Sequence, residues 1–153
     1  MKEVRILLYR NSKKTWYDKV ISTWQRILGF ERYDITHTEY YIDGYGYSSS
    51  FRDGGVRKKR IKLNKNWEYI TLLATDEQIG KLKEFFEMHE GKGYDTKNIF
   101  LNKILGLNRD NPDKWICSEY VCSAVKYAGL SACPYKASMV YPPELRFLDG
   151  RTA

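Results

Sequence analysis

The chain has 153 residues, of which 42% are hydrophobic and 15% aromatic, and its formal charge is +7. This apolar content excludes a disordered chain, and the length suffices for one sizeable core. Because no run of roughly 18 apolar residues occurs and no secretory signal is evident, we expect a cytoplasmic protein without a membrane span. The positive charge favours anionic partners such as nucleic acid, acidic lipid or cell-wall polymers, without selecting among them.

The three cysteines, Cys117, Cys122 and Cys133, are an odd number. Since no export signal accompanies them, we expect reduced thiols rather than a disulfide framework. Their spacing matches no zinc pattern and the chain has only two histidines. The sequence therefore predicts neither a metal site nor an organic cofactor.

Strand and turn signals dominate the first half of the chain. Residues 4–9 are an apolar run typical of a buried strand, whereas residues 15–28 place Trp and Ile at helical spacing. Further strands are predicted over residues 35–42, 47–51, 56–63 and 67–73. Short turns containing glycine separate most of them, which favours an antiparallel meander.

Helical signals dominate the second half. From Thr75 onward the apolar residues follow a period of 3.6, which predicts a helix that ends at a glycine. A short helix over 97–105, a polar loop, a helix over 116–128 and a last helical turn near 142–148 follow. Because no repeat or linker is visible, residues 1–153 are predicted to form a single α+β domain, with helices packed on an antiparallel sheet of about five strands.

The most informative segment for chemistry is Trp-Ile-Cys-Ser-Glu-Tyr at residues 115–120. Cys117 falls at the predicted start of a helix, where backbone N–H groups and the helix dipole stabilise a thiolate. Most cysteines are simply small, buried, apolar residues, and Cys122 in the same helix fits that description. Cys133, which precedes a proline, is assigned no role.

A thiolate nucleophile needs a base, and His37 and His89 are the two histidines of the chain. His89 ends an amphipathic helix, which favours packing or a contact with the helix C-terminus. His37 lies on a predicted strand and shares a face with Glu39, so a carboxylate could orient its imidazole. A solvated strand face that carries one His and one Glu is the alternative interpretation.

A basic cluster occupies residues 57–60. Its side chains must divide between the two faces of a strand, and a solvated edge strand explains them as well as a nucleic-acid patch does. Aromatic side chains suited to base stacking are spread over core-like positions. Nucleic-acid binding is therefore the less favoured interpretation.

Several short motifs together resemble the circularly permuted branch of the NlpC-type papain-like superfamily, which includes YiiX-like hydrolases and the lecithin retinol acyltransferase group. They are His-Thr-Glu at 37–39, a Ser-rich strand leading into Asp-Gly-Gly-Val-Arg at 53–57, Gly-Lys-Gly-Tyr-Asp at 91–95 and Cys-Ser-Glu at 117–119. The resemblance covers roughly residues 6–145 and is greatest to small bacteriophage and bacterial members. His37 precedes Cys117 by 80 positions (117 − 37), as a permuted topology requires.

This resemblance implies a permuted papain-like fold and a cysteine-dependent hydrolase or acyltransferase acting on an amide, ester or thioester bond, with a peptidase or amidase favoured. Cys117 would be the nucleophile and His37 the base. The third residue stays open, with Glu39 favoured. Alternative or supporting residues are Ser49, Asp53, Ser118 and Glu119. Peptides, peptidoglycan fragments and acyl compounds are the implied substrates, and a host protein is the implied target of a phage-encoded member.

Two other classes of function stay open. The first is a catalytically inactive papain-like scaffold that binds another protein, in which Cys117 is inert. The second is a basic nucleic-acid-binding protein, whose affinity would fall steeply with salt. Charge is the one feature that favours the second class, since no recognition motif is found.

Overall fold

The computed structural model describes residues 1–10, 19, 23, 26–27, 35–94, 114–131 and 145. In this part of the chain, seven strands form one sheet and two helices pack beside it. The strands are β1 (Lys2–Arg10), β2 (Ile35–Ile42), β3 (Tyr45–Ser50), β4 (Gly55–Arg60), β5 (Trp67–Ala74), β6 (Gly93–Tyr94) and β7 (Lys114–Trp115). The helices are α1 (Asp76–His89) and α2 (Cys117–Tyr127). The protein is therefore a mixed α+β structure.

The strands lie in the order β5-β1-β2-β3-β4-β6-β7. All neighbours are antiparallel except β6 and β7. The predicted meander is correct for β2, β3 and β4 but wrong for β5, which crosses the sheet and pairs with β1 from Lys2 to Tyr9. The apolar β1 thereby gains a neighbour on each side and is buried as a central strand. The count of about five strands omitted the two-residue strands β6 and β7.

The hairpin between β2 and β3 is tighter than the sequence predicts. Asp43 and Gly44 alone form the turn, and both have positive φ angles, of 50° and 88°. Two-residue hairpin turns need this left-handed backbone, which Asp and Gly tolerate. Strand β3 therefore begins at Tyr45. The next strand, β4, ends at Arg60 rather than at the predicted residue 63.

Both helices pack on one face of the sheet around Tyr40. Its hydroxyl donates to the carbonyl of Leu82 on α1 at 3.0 Å, and its ring stacks on Tyr47 with centroids 4.9 Å apart. The ring of Tyr120 on α2 lies 5.9 Å from Tyr40. Thr38 and Tyr40 therefore lie on the helix-bearing face of β2, and Glu39 between them points to the opposite face.

Helix α1 forms as its sequence pattern predicts. Thr75 accepts a hydrogen bond from the Gln78 backbone, and the Gln78 side chain accepts one from Thr75, which completes a capping box. The buried residues of α1 follow helical spacing and face the core: Ile79, Leu82, Phe85 and Phe86. His89 ends α1, donates Nδ1–H to the Phe85 carbonyl at 2.7 Å and packs on Trp115. It has the packing role expected of it.

Some predicted elements lie mostly or wholly outside the described residues: the helix over 15–28, the helix over 97–105 and the loop after it, and the turn near 142–148. Four described residues of the first segment, Lys19, Thr23, Arg26 and Ile27, are helical. In the last segment, Leu145 is described and is buried in the core. Within the described ranges, no helix is long and apolar enough to cross a bilayer.

Candidate active site

The site lies at the start of β2, where the sheet opens. Hydrogen-bonded pairing between β2 and β3 covers three positions, from Tyr40 to Ile42. Beyond them, the Ser48 hydroxyl donates to the Thr38 carbonyl at 2.7 Å and holds the two strands side by side. His37 therefore lies past the paired part of β2, where its side chain meets the start of α2.

His37 contacts both Glu39 and Cys117. Its Nε2–H donates to Glu39 Oε1 at 2.9 Å, and a side-chain hydrogen bond joins the imidazole to Cys117. Because Nε2 faces the carboxylate, Nδ1 is the ring nitrogen that remains for the thiol. Cys117 is buried and forms no disulfide. The fold thus joins two residues that are 80 positions apart (117 − 37).

These contacts favour the protonated imidazole. Burial lowers the pKa of His37, but the hydrogen bonds and negative charges of Cys117 and Glu39 outweigh burial and raise its pKa to about 9. A pKa in that range keeps His37 cationic at neutral pH. A cationic imidazole beside a thiol stabilises the thiolate.

Glu39 is held by a guanidinium as well as by His37. Arg57 on β4 donates Nη1–H to Oε2 at 2.9 Å and Nη2–H to Oε1 at 2.6 Å. The Glu39 side chain is only 2% exposed. Burial raises its pKa, but the bonds from His37 and Arg57 outweigh burial and hold the pKa below its usual value. Glu39 is therefore an ionised carboxylate with two positive partners.

Asp53, an alternative third residue, contacts Arg57 rather than His37. Its carboxylate accepts from Arg57 Nε at 2.8 Å and lies 3.5 Å from Lys59 Nζ. Burial raises the pKa of Asp53, whereas the hydrogen bond from Arg57 lowers it, and the net shift is downward. Asp53 thus reaches the imidazole only through Arg57 and Glu39.

Ser49, another alternative, holds the approach to α2. Its hydroxyl donates to the Trp115 carbonyl at 2.7 Å, two residues before Cys117. Ile116 is the N-cap of α2 and offers no capping side chain. The first backbone hydrogen bond within the helix runs from the Tyr120 N–H to the Ile116 carbonyl. The backbone N–H groups of residues 117–119 therefore come before the first bond of the helix.

The remaining predicted residues lie in the first turn of α2. Ser118 and Glu119 follow Cys117 and both are buried. Farther along, Cys122 is disulfide-bonded, and its partner lies outside the described residues. The expectation of reduced thiols is therefore wrong for Cys122, because it rested on the assumed compartment and not on which cysteines the fold brings together.

A cavity of about 320 Å³ adjoins the site. His37 and Glu39 form part of its wall, together with aromatic and basic side chains from β1, β4 and the segments around them. The His37 side chain is 21% exposed, whereas Cys117 as a residue is 2% exposed. A ligand in this cavity would meet the imidazole directly.

Two residues of this site were missed from the sequence. Arg57 was grouped with a solvated basic strand, which is correct for Lys58, Lys59 and Arg60 but wrong for Arg57, whose side chain is 17% exposed. The sequence feature that could have revealed the role of Arg57 was Glu39, because a carboxylate inside an apolar strand needs a cationic partner. Gly46 was interpreted only as a turn residue. A Cβ at Gly46 would lie 2.0 Å from Glu39 Oε2, so glycine makes room for the carboxylate.

No group of three or more His, Cys, Asp or Glu side chains that could hold a metal occurs within the described ranges. Comparison with known proteins finds neither a matching family model nor a matching curated protein. The function is therefore argued from the geometry of the site.

Proposed function

We propose that the protein is a cysteine-dependent hydrolase or acyltransferase that acts on an amide, ester or thioester bond, with peptidase or amidase activity favoured. One observation carries the proposal: the Cys117 side chain is hydrogen-bonded to His37, whose other ring nitrogen faces the buried carboxylate of Glu39. Nucleophile, base and orienting acid in this order are the arrangement used by thiol hydrolases.

In the acylation step, the Cys117 thiolate, whose proton is held by the cationic His37, attacks the carbonyl carbon of the substrate. The carbonyl oxygen becomes an oxyanion, which the Cys117 backbone N–H at the start of α2 helps to stabilise. The intermediate collapses to a thioester, the bond to the leaving group breaks, and His37 returns its proton to that group.

In the deacylation step, His37 takes a proton from water as the water oxygen attacks the thioester. The carbon–sulfur bond breaks, the acid product leaves, and Cys117 departs as the thiolate while His37 keeps the proton, which restores the starting pair. An amine in place of water gives acyl transfer. Glu39 stays ionised throughout and holds the imidazole in the orientation that each proton transfer needs.

The order of the motifs supports a permuted papain-like scaffold. A strand His, an adjoining Ser-rich strand and a late helix that begins with Cys are features that this chain shares with the NlpC-type permuted branch. The contacts of His37 with Cys117 and Glu39 support this proposal. Peptides, peptidoglycan fragments and acyl compounds are accordingly the first substrate classes to screen.

The first test is the rate of alkylation of Cys117 by iodoacetamide as a function of pH, followed by mass spectrometry. We expect fast reaction below pH 7 in the wild type. In His37→Ala, the rate should follow a free thiol, with a midpoint near pH 8.5. His89→Gln is the matched control because it removes the second histidine, which packs on Trp115, and it should behave like the wild type.

The second test is catalytic. A substrate found by screening amide, ester and thioester libraries should no longer be turned over by Cys117→Ala, and His37→Ala should lose at least a hundredfold in kcat/KM. Full activity in Cys117→Ala would exclude this mechanism.

One observation favours a second function, a non-catalytic module that binds another protein. Cys117 is 2% exposed, which is unusual for a group that must meet a substrate. In that case the thiol would be inert to iodoacetamide at neutral pH in the wild type. The alkylation experiment therefore separates the two candidate functions.

A further inference from the structure

The cavity beside His37 and Glu39 has two kinds of wall. Four aromatic rings line it in two pairs: Tyr9 with Trp67, and Phe51 with Tyr94. Trp67 contacts Tyr9 edge-on at 4.8 Å and lies 6.4 Å from the His37 ring, so the aromatic wall continues to the imidazole. The volume of the cavity, about 320 Å³, lies at the lower end of the range for small-ligand pockets.

Basic side chains form the other wall and outnumber the acids. The cavity is lined by five Lys or Arg residues, Arg52, Arg57, Lys59, Arg60 and Lys62, and by two acids, Glu39 and Asp53. Without the Cys117–His37 pair, the excess is three positive charges (5 − 2). Such a lining attracts anions, more strongly in a concave site than on a flat surface.

The two acids are already occupied by Arg57. It binds Glu39 through two nitrogens and Asp53 through Nε. Lys59 keeps only a long contact to Asp53, at 3.5 Å. Arg52, Arg60 and Lys62 contact no carboxylate of the described residues. Four of the five basic side chains can therefore form an ion pair with an anionic ligand.

We infer that this cavity is the substrate-binding pocket and that it selects substrates bearing an anionic group, a carboxylate or a phosphate, next to an apolar or aromatic portion. The anion pairs with the basic wall while the apolar portion packs on Trp67 and Tyr9. This arrangement places the reacting carbonyl at the His37 end. The inference rests on the proposed function for its reactive step, but the binding of anions can be tested separately.

Direct binding tests the inference. Phenyl phosphate, phenylacetate and neutral phenylacetamide are titrated into the protein by calorimetry at low salt. We expect the two anions to bind, phenylacetamide to bind at least tenfold more weakly, and added salt to weaken the anions alone. The stronger of the two anions distinguishes a phosphate-bearing from a carboxylate-bearing substrate.

Variants locate the anion. A triple variant, Arg52→Gln/Lys59→Gln/Lys62→Gln, should lose about tenfold in anion affinity, as expected for partly exposed charge pairs. Lys58→Gln is the control: it removes one positive charge next to Lys59, but Lys58 lies over the Tyr45 ring on the helix-bearing face. Its affinity for the anions should stay within twofold of the wild type.

Equal binding of phenylacetamide and phenylacetate, or unchanged anion affinity in the triple variant, would overturn the inference. Its failure is distinct from failure of the proposed function, which is read from Cys117 alkylation. Anion binding with an inert thiol supports this pocket and rejects the hydrolase. A reactive thiol without anion binding supports the hydrolase and rejects the pocket's selectivity.

Discussion

At the scale of residues, the site is a series of four groups, each in contact with the next: thiol, imidazole, carboxylate and guanidinium. Burying a carboxylate away from water costs folding free energy unless positive partners surround it. Glu39 has two such partners, His37 and Arg57. Arg57 in turn holds Asp53. Glu39 therefore orients His37 without being free to turn away from it.

The titration of His37 is the most direct check of this chain of contacts. We expect its ring signals in NMR spectra to titrate with a midpoint near pH 9 in the wild type. In Cys117→Ala the midpoint should fall, because one of the groups that favour the charged imidazole is absent. Glu39→Gln should lower it for the same reason. A wild-type midpoint near the ordinary value of about 6.5 would contradict the geometry.

Gly46→Ala tests the space around Glu39. The new Cβ would lie 2.0 Å from Oε2 and 2.3 Å from the Ile61 side chain, so the carboxylate must move away from His37 and Arg57. We expect a loss of about 1–3 kcal/mol in unfolding free energy and slower alkylation of Cys117 at pH 7.

The control for Gly46→Ala is Gly80→Ala on α1, where an added Cβ meets nothing within 4 Å. Alanine in a helix should stabilise the protein by roughly 0.5–1 kcal/mol and leave the thiol unchanged. Alkylation at the wild-type rate in Gly46→Ala would show that Glu39 tolerates displacement.

Among individual residues, strand alternation and helix position made His37, Glu39 and Cys117 candidates, and the resemblance to a permuted papain-like family favoured them further. Their mutual contact could not follow from either pattern, since it depends on how α2 is placed against β2. Arg57 and Gly46 escaped notice because the residues that need them lie on other strands. A short stretch of sequence contains only one of the two residues in such a contact, so it cannot predict the contact.

At the scale of elements, the position of Cys117 depends on what fixes the start of α2. Ile116 supplies no capping side chain, and the neighbouring strand β7 has two residues. The hydrogen bond from Ser49 to the Trp115 carbonyl ties this region to β3, the neighbour of the strand that carries His37. Ser49 is accordingly a positioning residue, not a partner of the imidazole.

Ser49→Ala should therefore lower unfolding free energy by about 1 kcal/mol and also slow the alkylation of Cys117 at pH 7. Thr75→Ala is the matched control, because it removes one hydroxyl hydrogen bond from the start of α1 and should cost about 1 kcal/mol. Chemical denaturation and alkylation are measured on both. Equal alkylation rates in the two variants would show that Ser49 does not position the thiol.

Most elements were predictable because each has a strong local signal. The period of α1, its Thr75 cap and the Asp43-Gly44 turn determine their own structure. The pairing of β5 was not predictable by the same means. A strand adjacent in sequence to β4 could pair with it or with β1, and only burial of β1 on both sides decides between them.

At the scale of the whole molecule, the buried carboxylate links folding to pH. The pKa of Glu39 is lower in the folded protein than in the unfolded chain. Its stabilising contribution is therefore present above the unfolded pKa of about 4.3 and is lost as pH falls through the folded value.

Glu39→Gln should be less stable than the wild type by roughly 3 kcal/mol at pH 7, and this difference should shrink toward pH 3. Denaturation at a series of pH values measures it. Glu77→Gln, which removes an exposed partner of Lys81, should follow the wild-type profile. A constant difference between Glu39→Gln and the wild type from pH 7 to pH 3 would mean that Glu39 is not the group responsible.

The separation of His37 and Cys117 along the chain also makes the site a marker of folding order. Strands β3 to β7 and helix α1 lie between His37 and Cys117 along the chain, and the contact closes a loop of 80 residues (117 − 37). Contacts between distant residues form late, because the entropy of loop closure must be overcome first. Rapid alkylation of Cys117 at neutral pH should thus appear only in the final phase of refolding. The reactivity of one sulfur atom would report when the sheet and α2 have joined.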